Sequence, residues 1–210
     1  MIDGLRAARR GLSNFYWNGY PYIWSNLAFV ALSLPLVTAP AALSALFHVG
    51  HLAHTDPSEA DLAAFWGAFR SNLWRALPWG LFNVLFAVIN FNNLLAFAGI
   101  NSAVSVTLRA VWLIASVVWL GELLYTWPIY YEMTTPTVWG ATRNALIMVI
   151  RNPVFTLVIA VVIVVLAVIS AVLVASWLLL TWGAIASIAN AAVLDRVERI
   201  RAESHPRLDS

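Results

Sequence analysis

Four side chains could do chemistry inside an apolar medium: Glu122, Asn83, Asn90 and Asn93. Glu122 lies in a long apolar stretch, where a carboxylate must face other helices, find a partner or hold a proton. Arg109, the one cation of that stretch, is about 20 Å away along a helix at ~1.5 Å per residue and cannot reach it. Asn83, Asn90 and Asn93 stand at i, i+7 and i+10, on one helical face. They could line a path for a proton or a small polar solute. Equally, they could tie two helices together, at about 0.6–2 kcal/mol per contact.

His48, His51 and His54 are spaced three apart, and only His205 adds a fourth imidazole. Neighbours in the set are close enough on a helix to share a metal, but the outer two point apart. They read as interfacial histidines at the end of a span, with a zinc or pH-sensing site as the alternative. There is no cysteine, which excludes disulfides and thiolate chemistry. No phosphate loop, H-E-x-x-H, paired-carboxylate site or nucleophile–base spacing occurs. The chain therefore reads as a non-enzyme, with no catalytic, cofactor or metal residue assigned.

The elements that position these residues follow from composition. Hydrophobic residues make up 61% of the chain and charged ones 10%, against about 25% charged in soluble domains. Lipid is the solvent this implies. Eleven tryptophans suit interfacial belts. All the basic residues are arginine and the net charge is +2, with no dense basic face, so no nucleic-acid partner is expected.

Residues 1–20 suggest a short in-plane helix bearing Arg6, Arg9 and Arg10. Those arginines and Ala39-Pro40-Ala41 imitate a cleavable leader. The apolar pattern continues to Leu52, so this segment reads as a retained first span, residues 22–48, kinked or broken by Pro35 and Pro40. Asp56-Pro57-Ser58-Glu59 has the form of a helix start, and predicts a surface helix over 57–75. Spans follow at 77–97 and 104–130. Thr135-Pro136 starts a second surface helix, 137–151. The apolar run from Pro153 to Leu194 is about 63 Å as one helix at ~1.5 Å per residue, twice the ~30 Å hydrocarbon core. It must turn near Ser170 to Ser176, giving spans 153–170 and 175–194. The expectation is an all-α, polytopic transmembrane bundle of about five spans, with two amphipathic surface helices on one membrane face. Four spans and one long projecting helix are the alternative.

The two surface helices share Trp-Gly-Ala-x-Arg-x-x-Leu, as Trp66 to Leu73 and Trp139 to Leu146. With five spans, Arg70, Arg75, Arg143, Arg151, Arg196, Arg199, Arg201 and Arg207 share one side, which the positive-inside tendency makes cytoplasmic. Arg6, Arg9, Arg10 and Arg109 fall on the other. With four spans the assignment reverses.

The order Asn26-Leu27, Leu34-Pro35-Leu36-Val37-Thr38 and Ala41-x-x-x-Ala45-Leu46 resembles the YesL-like family of bacterial integral membrane proteins. So do Trp66, Phe69, Arg70 and Asn72, and Leu124-Tyr125-x-x-Pro128 followed by Arg143-Asn144-Ala145-Leu146. The resemblance covers residues 22–160. It implies a multi-pass protein of the bacterial plasma membrane with a link to carbohydrate import, and carries over no catalytic residue.

Two functions are expected. One is an accessory or docking subunit of a membrane transporter complex, or a membrane dock for a cytoplasmic protein. Trp66, Phe69, Trp139 and Leu146 would make its apolar contacts. Arg70 and Arg143 would bridge to lipid phosphate or to an acidic partner, although simple anchoring in the bilayer explains the same residues. The other is a small solute carrier or channel, lined by Glu122, Asn83 and Asn90.

Overall fold

The computed structural model describes residues 2–100, 102–172 and 174–204; His205 and Arg207 lie outside the described residues. The described residues are almost wholly helical and contain no strand. In order the helices are α1 (Ile2–Trp17), α2 (Gly19–Ser33), α3 (Ala39–Thr55), α4 (Leu62–Ala96), α5 (Ala103–Glu132), α6 (Val138–Arg151) and α7 (Pro153–Ala171). There follow α8 (Val174–Ser176), a π-helical turn (Trp177–Thr181) and α9 (Trp182–Ser204). Among the described residues, four helical segments are long and apolar enough to cross a membrane: Leu62–Ala96, Ala103–Glu132, Pro153–Ala171 and Trp177–Glu203.

The stretch expected as the first span is two helices, α2 and α3, neither of which is among those four. Pro35 cannot donate to the preceding turn and ends the helical ladder. Leu36 turns the chain at φ 57°, a left-handed conformation that crowds a side-chain-bearing residue. The turn closes on itself: Leu36 N donates to the Ser33 carbonyl at 3.0 Å and Ala39 N to the Leu36 carbonyl at 3.1 Å, while the Thr38 hydroxyl donates to the Leu32 carbonyl. Pro40 lies in the first turn of α3, where its missing N–H has no intrahelical role.

The surface helix expected at 57–75 is not a separate element. It is the first half of α4, which runs 35 residues without interruption. Asp56 does not start it. That residue closes α3, its N–H donating to the Leu52 carbonyl at 2.7 Å. The N-cap is Asp61, whose Oδ1 accepts from Ala64 N at 2.7 Å. Pro78 sits inside the helix, which continues through it. The second surface helix does stand alone, as α6, but its N-cap is Thr137 rather than Thr135, with Oγ1 accepting from Gly140 N at 3.1 Å. It stops because Asn152 precedes Pro153 and is pushed out of the helical region, to φ −130° and ψ 56°.

Helix α1 does not lie free at a surface. It packs antiparallel on α9: Asp3 pairs with Arg199 at 2.8 Å, Gly11 meets the backbone of Ile188, and Phe15 meets Gly183. Gly4, Ala7, Ala8 and Gly11 are its buried residues, small side chains at helical spacing that let two backbones approach. A Cβ on Gly11 would stand 2.5 Å from Ile188 Cα. Helix α7 is antiparallel to α9 as well, with the Arg196 guanidinium 3.8 Å over the Phe155 ring.

These helices, with α2, α3 and the inner halves of α4 and α5, form a packed core around Tyr22, Leu46, Phe65, Trp127, Ile159 and Ile188. The outer half of the α4–α5 hairpin stands apart from it. Beyond Gly80, α4 buries only Asn83 and Asn90; before Gly121, α5 buries only Ser105.

Candidate functional site

Helices α4 and α5 are joined by a ladder of polar side chains. At its outer end Asn90 Oδ1 accepts from Ser116 at 3.1 Å. One rung inward, Asn83 Oδ1 accepts from Trp119 Nε1 at 2.7 Å, and its amide donates to the Trp79 carbonyl at 2.9 Å. Next, Trp79 Nε1 and the Thr126 hydroxyl both donate to Glu122 Oε1, at 2.7 and 2.8 Å. Innermost, the Asn72 amide donates to Ser44 Oγ at 2.9 Å and Tyr131 Oη at 3.0 Å, while Tyr130 donates to Asn72 Oδ1 at 3.3 Å. From Asn72 to Asn90 the ladder covers about 27 Å at ~1.5 Å per residue. Asn93 is not a rung. It is partly exposed and its amide turns back to the Ile89 carbonyl of its own helix at 2.8 Å.

Glu122 is the one rung with an open position. Its side chain is 2% exposed, and Oε2 has no hydrogen-bond partner. Helix α6 crosses over it: Thr142 lies beside the carboxyl, and Val149 packs on the neighbouring Gly121, where a Cβ would be 2.5 Å from Val149 Cγ2. The Thr142 hydroxyl is close enough to act on the carboxyl, yet it too lacks a hydrogen bond of good geometry. No ion pair reaches Glu122 among the described residues. A buried acid with one free oxygen beside a free hydroxyl can take a donor or pass a proton. Just outside lies a cleft of about 260 Å³ lined by Arg75, Trp79, Phe82, Trp139 and Thr142 among others. Two of its walls, Trp79 and Thr142, also flank the carboxyl. No family model, curated protein or solved structure matches this chain.

The structure thus sets Glu122, Asn83 and Asn90 on one ladder, and Trp139 at the cleft beside Glu122. Sequence reasoning missed Trp79, Thr126, Trp119 and Ser116, although Trp79 stands one turn from Asn83 and Thr126 one turn from Glu122. Trp66 and Trp139 are 37% and 76% exposed, and Arg70 and Arg143 are exposed as well. Phe69, expected as a surface contact, is instead core at 8% exposure, packed edge-on against Trp66, and Leu146 is half-buried. The repeated motif is also a repeat of burial. Ala68 and Ala141, Phe69 and Thr142, Asn72 and Ala145, and Ala76 and Val149 all point inward.

The histidines do not converge. His48 and His51 flank the Tyr131 ring, at 4.5 and 6.2 Å between centroids, and His54 Nε2 lies 3.1 Å from the Ser187 carbonyl and hydroxyl. Burial pushes His48 and His54 down to about 4, and lowers His51 as well, so they are neutral at pH 7. His51 Nδ1 stands 3.7 Å from Glu132 Oε1, while Arg201 holds the other oxygen of Glu132 at 3.1 Å. Among the described residues no group of three or more His, Asp or Glu can hold a metal.

Proposed function

We propose that this protein is a non-enzymatic accessory subunit in a bacterial plasma membrane, and that the outer half of the α4–α5 hairpin is its docking element. The single observation that carries the reading is the contrast in burial between the spans. In the most apolar stretch of Trp177–Glu203, 72% of the residues are buried, and in that of α5 only 6%. Leu85, Val88, Phe91, Val106, Leu113 and Ile114 are each more than half exposed, on both arms of the hairpin. The polar rungs between the arms keep them paired without help from the core. Such a stiff apolar projection suits insertion among the spans of another membrane protein, where packing drives association. The exposed Trp66, Arg70, Trp139 and Arg143 then anchor the inner end at headgroup level.

A photo-crosslinking side chain at Val88 or Leu113 tests this in native membranes, with Val165 on α7, 52% exposed, as control. A protein adduct from the hairpin positions and none from Val165 is the expected result. Adducts to lipid alone at every position would remove the reading. The resemblance to the YesL-like family directs the first partner search to sugar importers.

The second reading is a small solute carrier, favoured by the open oxygen of Glu122 beside the cleft at Trp79 and Thr142. It requires Glu122→Gln to abolish uptake in a transport assay, and unchanged uptake would eliminate it. The closed pairing of the Asn83 and Asn90 rungs weighs against a continuous path.

A further inference from the structure

A cleft of about 530 Å³ lies between α6 and α9. Its walls are mixed. Met133, Ile147, Met148 and Val197 supply apolar surface, while Arg151, Arg196, Arg199, Glu132 and Glu203 supply charge. The charges are not equally committed. Arg199 is taken by Asp3 at 2.8 Å, and Glu132 by Arg201 at 3.1 Å. Arg151 has no ion pair or side-chain hydrogen bond among the described residues. Arg196 has only long contacts, to Asp195 at 3.4 Å, Asn152 at 3.5 Å and Asp3 at 3.8 Å, and its Nε is buried without a hydrogen-bond acceptor. Stacking on Phe155 fixes the plane of its guanidinium.

Arg151 and Arg196 also line a second, adjoining cleft at the start of α7, with Asp3 on its wall. Arg151 is the last charge before the apolar helix Pro153–Ala171, and Asp195 and Arg196 are the first charges met along the final span. They therefore mark the boundary between hydrocarbon and water, the level at which lipid phosphates lie. Guanidinium forks match phosphate geometry. The first turn of α7, capped by no side chain, adds a weaker pull of the same sign.

We infer that this cleft holds one phospholipid, with its phosphate between Arg151 and Arg196 and an acyl chain laid over Ile147 and Met148. A bare phosphate would leave the apolar wall unused, and a neutral lipid would leave Arg151 without an acceptor and Arg196 with its long contacts alone. The site is independent of the docking hairpin.

The test is native mass spectrometry of the full chain in mild detergent, titrated separately with phosphatidylglycerol, diacylglycerol and inorganic phosphate. Wild type should retain one phosphatidylglycerol and bind diacylglycerol at least about tenfold more weakly, the factor of one charge-assisted hydrogen bond. Arg151→Ala should lose a similar factor with an unchanged unfolding temperature, because Arg151 holds nothing within the protein. Ile147→Trp, which fills the cleft, should exclude the lipid. Equal retention by wild type and Arg151→Ala would overturn the proposal. So would displacement of phosphatidylglycerol by millimolar inorganic phosphate, which would make the occupant a free anion.

Discussion

Replacing Glu122 by Leu breaks the polar ladder at a buried rung. Glu122 Oε1 accepts from Trp79 Nε1 at 2.7 Å and from Thr126 at 2.8 Å. Leucine removes the acceptor of both bonds at nearly constant volume. Thr126 can turn its hydroxyl to the carbonyl one turn back, a bond open to any helical threonine. The indole of Trp79, 7% exposed, has no such choice. Its stranded N–H costs about 1–3 kcal/mol. Burying leucine in place of a carboxyl with an unpartnered oxygen returns about 1 kcal/mol, so the net loss is about 1 kcal/mol at the centre of that range and about 2 kcal/mol at its top. Glu122→Gln behaves differently. It keeps Oε1 as acceptor and places an amide N–H₂ where Oε2 faces Thr142 Oγ1, so stability should stay within about 0.5 kcal/mol of wild type. Thermal unfolding in detergent, followed by tryptophan fluorescence, reads the difference. At roughly 2–4 °C per kcal/mol for a chain of this size, Leu lowers the midpoint by several degrees and Gln leaves it unchanged. Trp79→Phe should cost about as much alone, and little when added to Glu122→Leu, since the shared bond is lost once. Equal midpoints for the Leu and Gln variants would refute this account of what holds α4 to α5.

Glycine substitutions separate the packed from the open helix surface. Gly11→Ala drives a methyl into the α9 backbone at 2.5 Å and should destabilise by about 1–3 kcal/mol. Gly67→Ala meets nothing within 4 Å and should stabilise α4 by about 0.5–1 kcal/mol; chemical denaturation compares the pair. Acidification should unfold the protein through its histidines. The folded-state values of His48 and His54, about 4, lie below the ordinary 6.5, so the folded state binds fewer protons. Stability is full above pH 6.5 and falls between there and pH 4, by up to about 1.4 kcal/mol per pH unit for each histidine, less for their residual exposure. His54→Gln should flatten that slope, and an unchanged slope would remove His54 from the account. Asp61→Ala should lose about 1 kcal/mol as an N-cap while Asp56→Ala loses less, and the reverse order in unfolding experiments would favour the earlier helix start.

Composition alone made the all-helical membrane class legible, because so few charges over so many apolar residues leave no water-soluble core to build. Pro35 announced the break between α2 and α3 through its missing donor. The continuity of α4 was not legible. Pro78 reads equally as a helix start and as a tolerated interior residue, and the helix, packed on α3 at Gly80, runs through it. Asp56 and Asp61 both satisfy the local capping rule, and the choice falls to Asp61 because α3 extends far enough to consume Asp56. In α1 the stripe Gly4, Ala7, Ala8 and Gly11 carried the packing signal, but Arg6, Arg9 and Arg10 pointed to a surface, and the salt bridge of Asp3 to Arg199 shows how charge and burial coexist there. At the site, the intramembrane carboxylate was evident from hydrophobic context. Its partners were not, because tryptophan in a membrane helix reads first as a belt residue, and only tertiary contact turns the Trp79 indole into a hydrogen-bond donor.

The continuity of α4 also makes it a mechanical part. At ~1.5 Å per residue its 35 residues form a rod of about 52 Å. Pro78 is its one weakened joint, since no hydrogen bond from that nitrogen resists bending. Directly beyond it, Gly80 bears on Pro40 so closely that a Cβ would be 2.2 Å from the proline ring. Joint and bearing together make a lever. A bend of about 10° at Pro78 swings the far end of α4 by about 5 Å, over the ~27 Å of helix beyond it. The same bend presses on Pro40, at the foot of the turn where Leu36 holds its left-handed conformation. Load on the outer hairpin is thereby delivered to the non-helical link between α2 and α3.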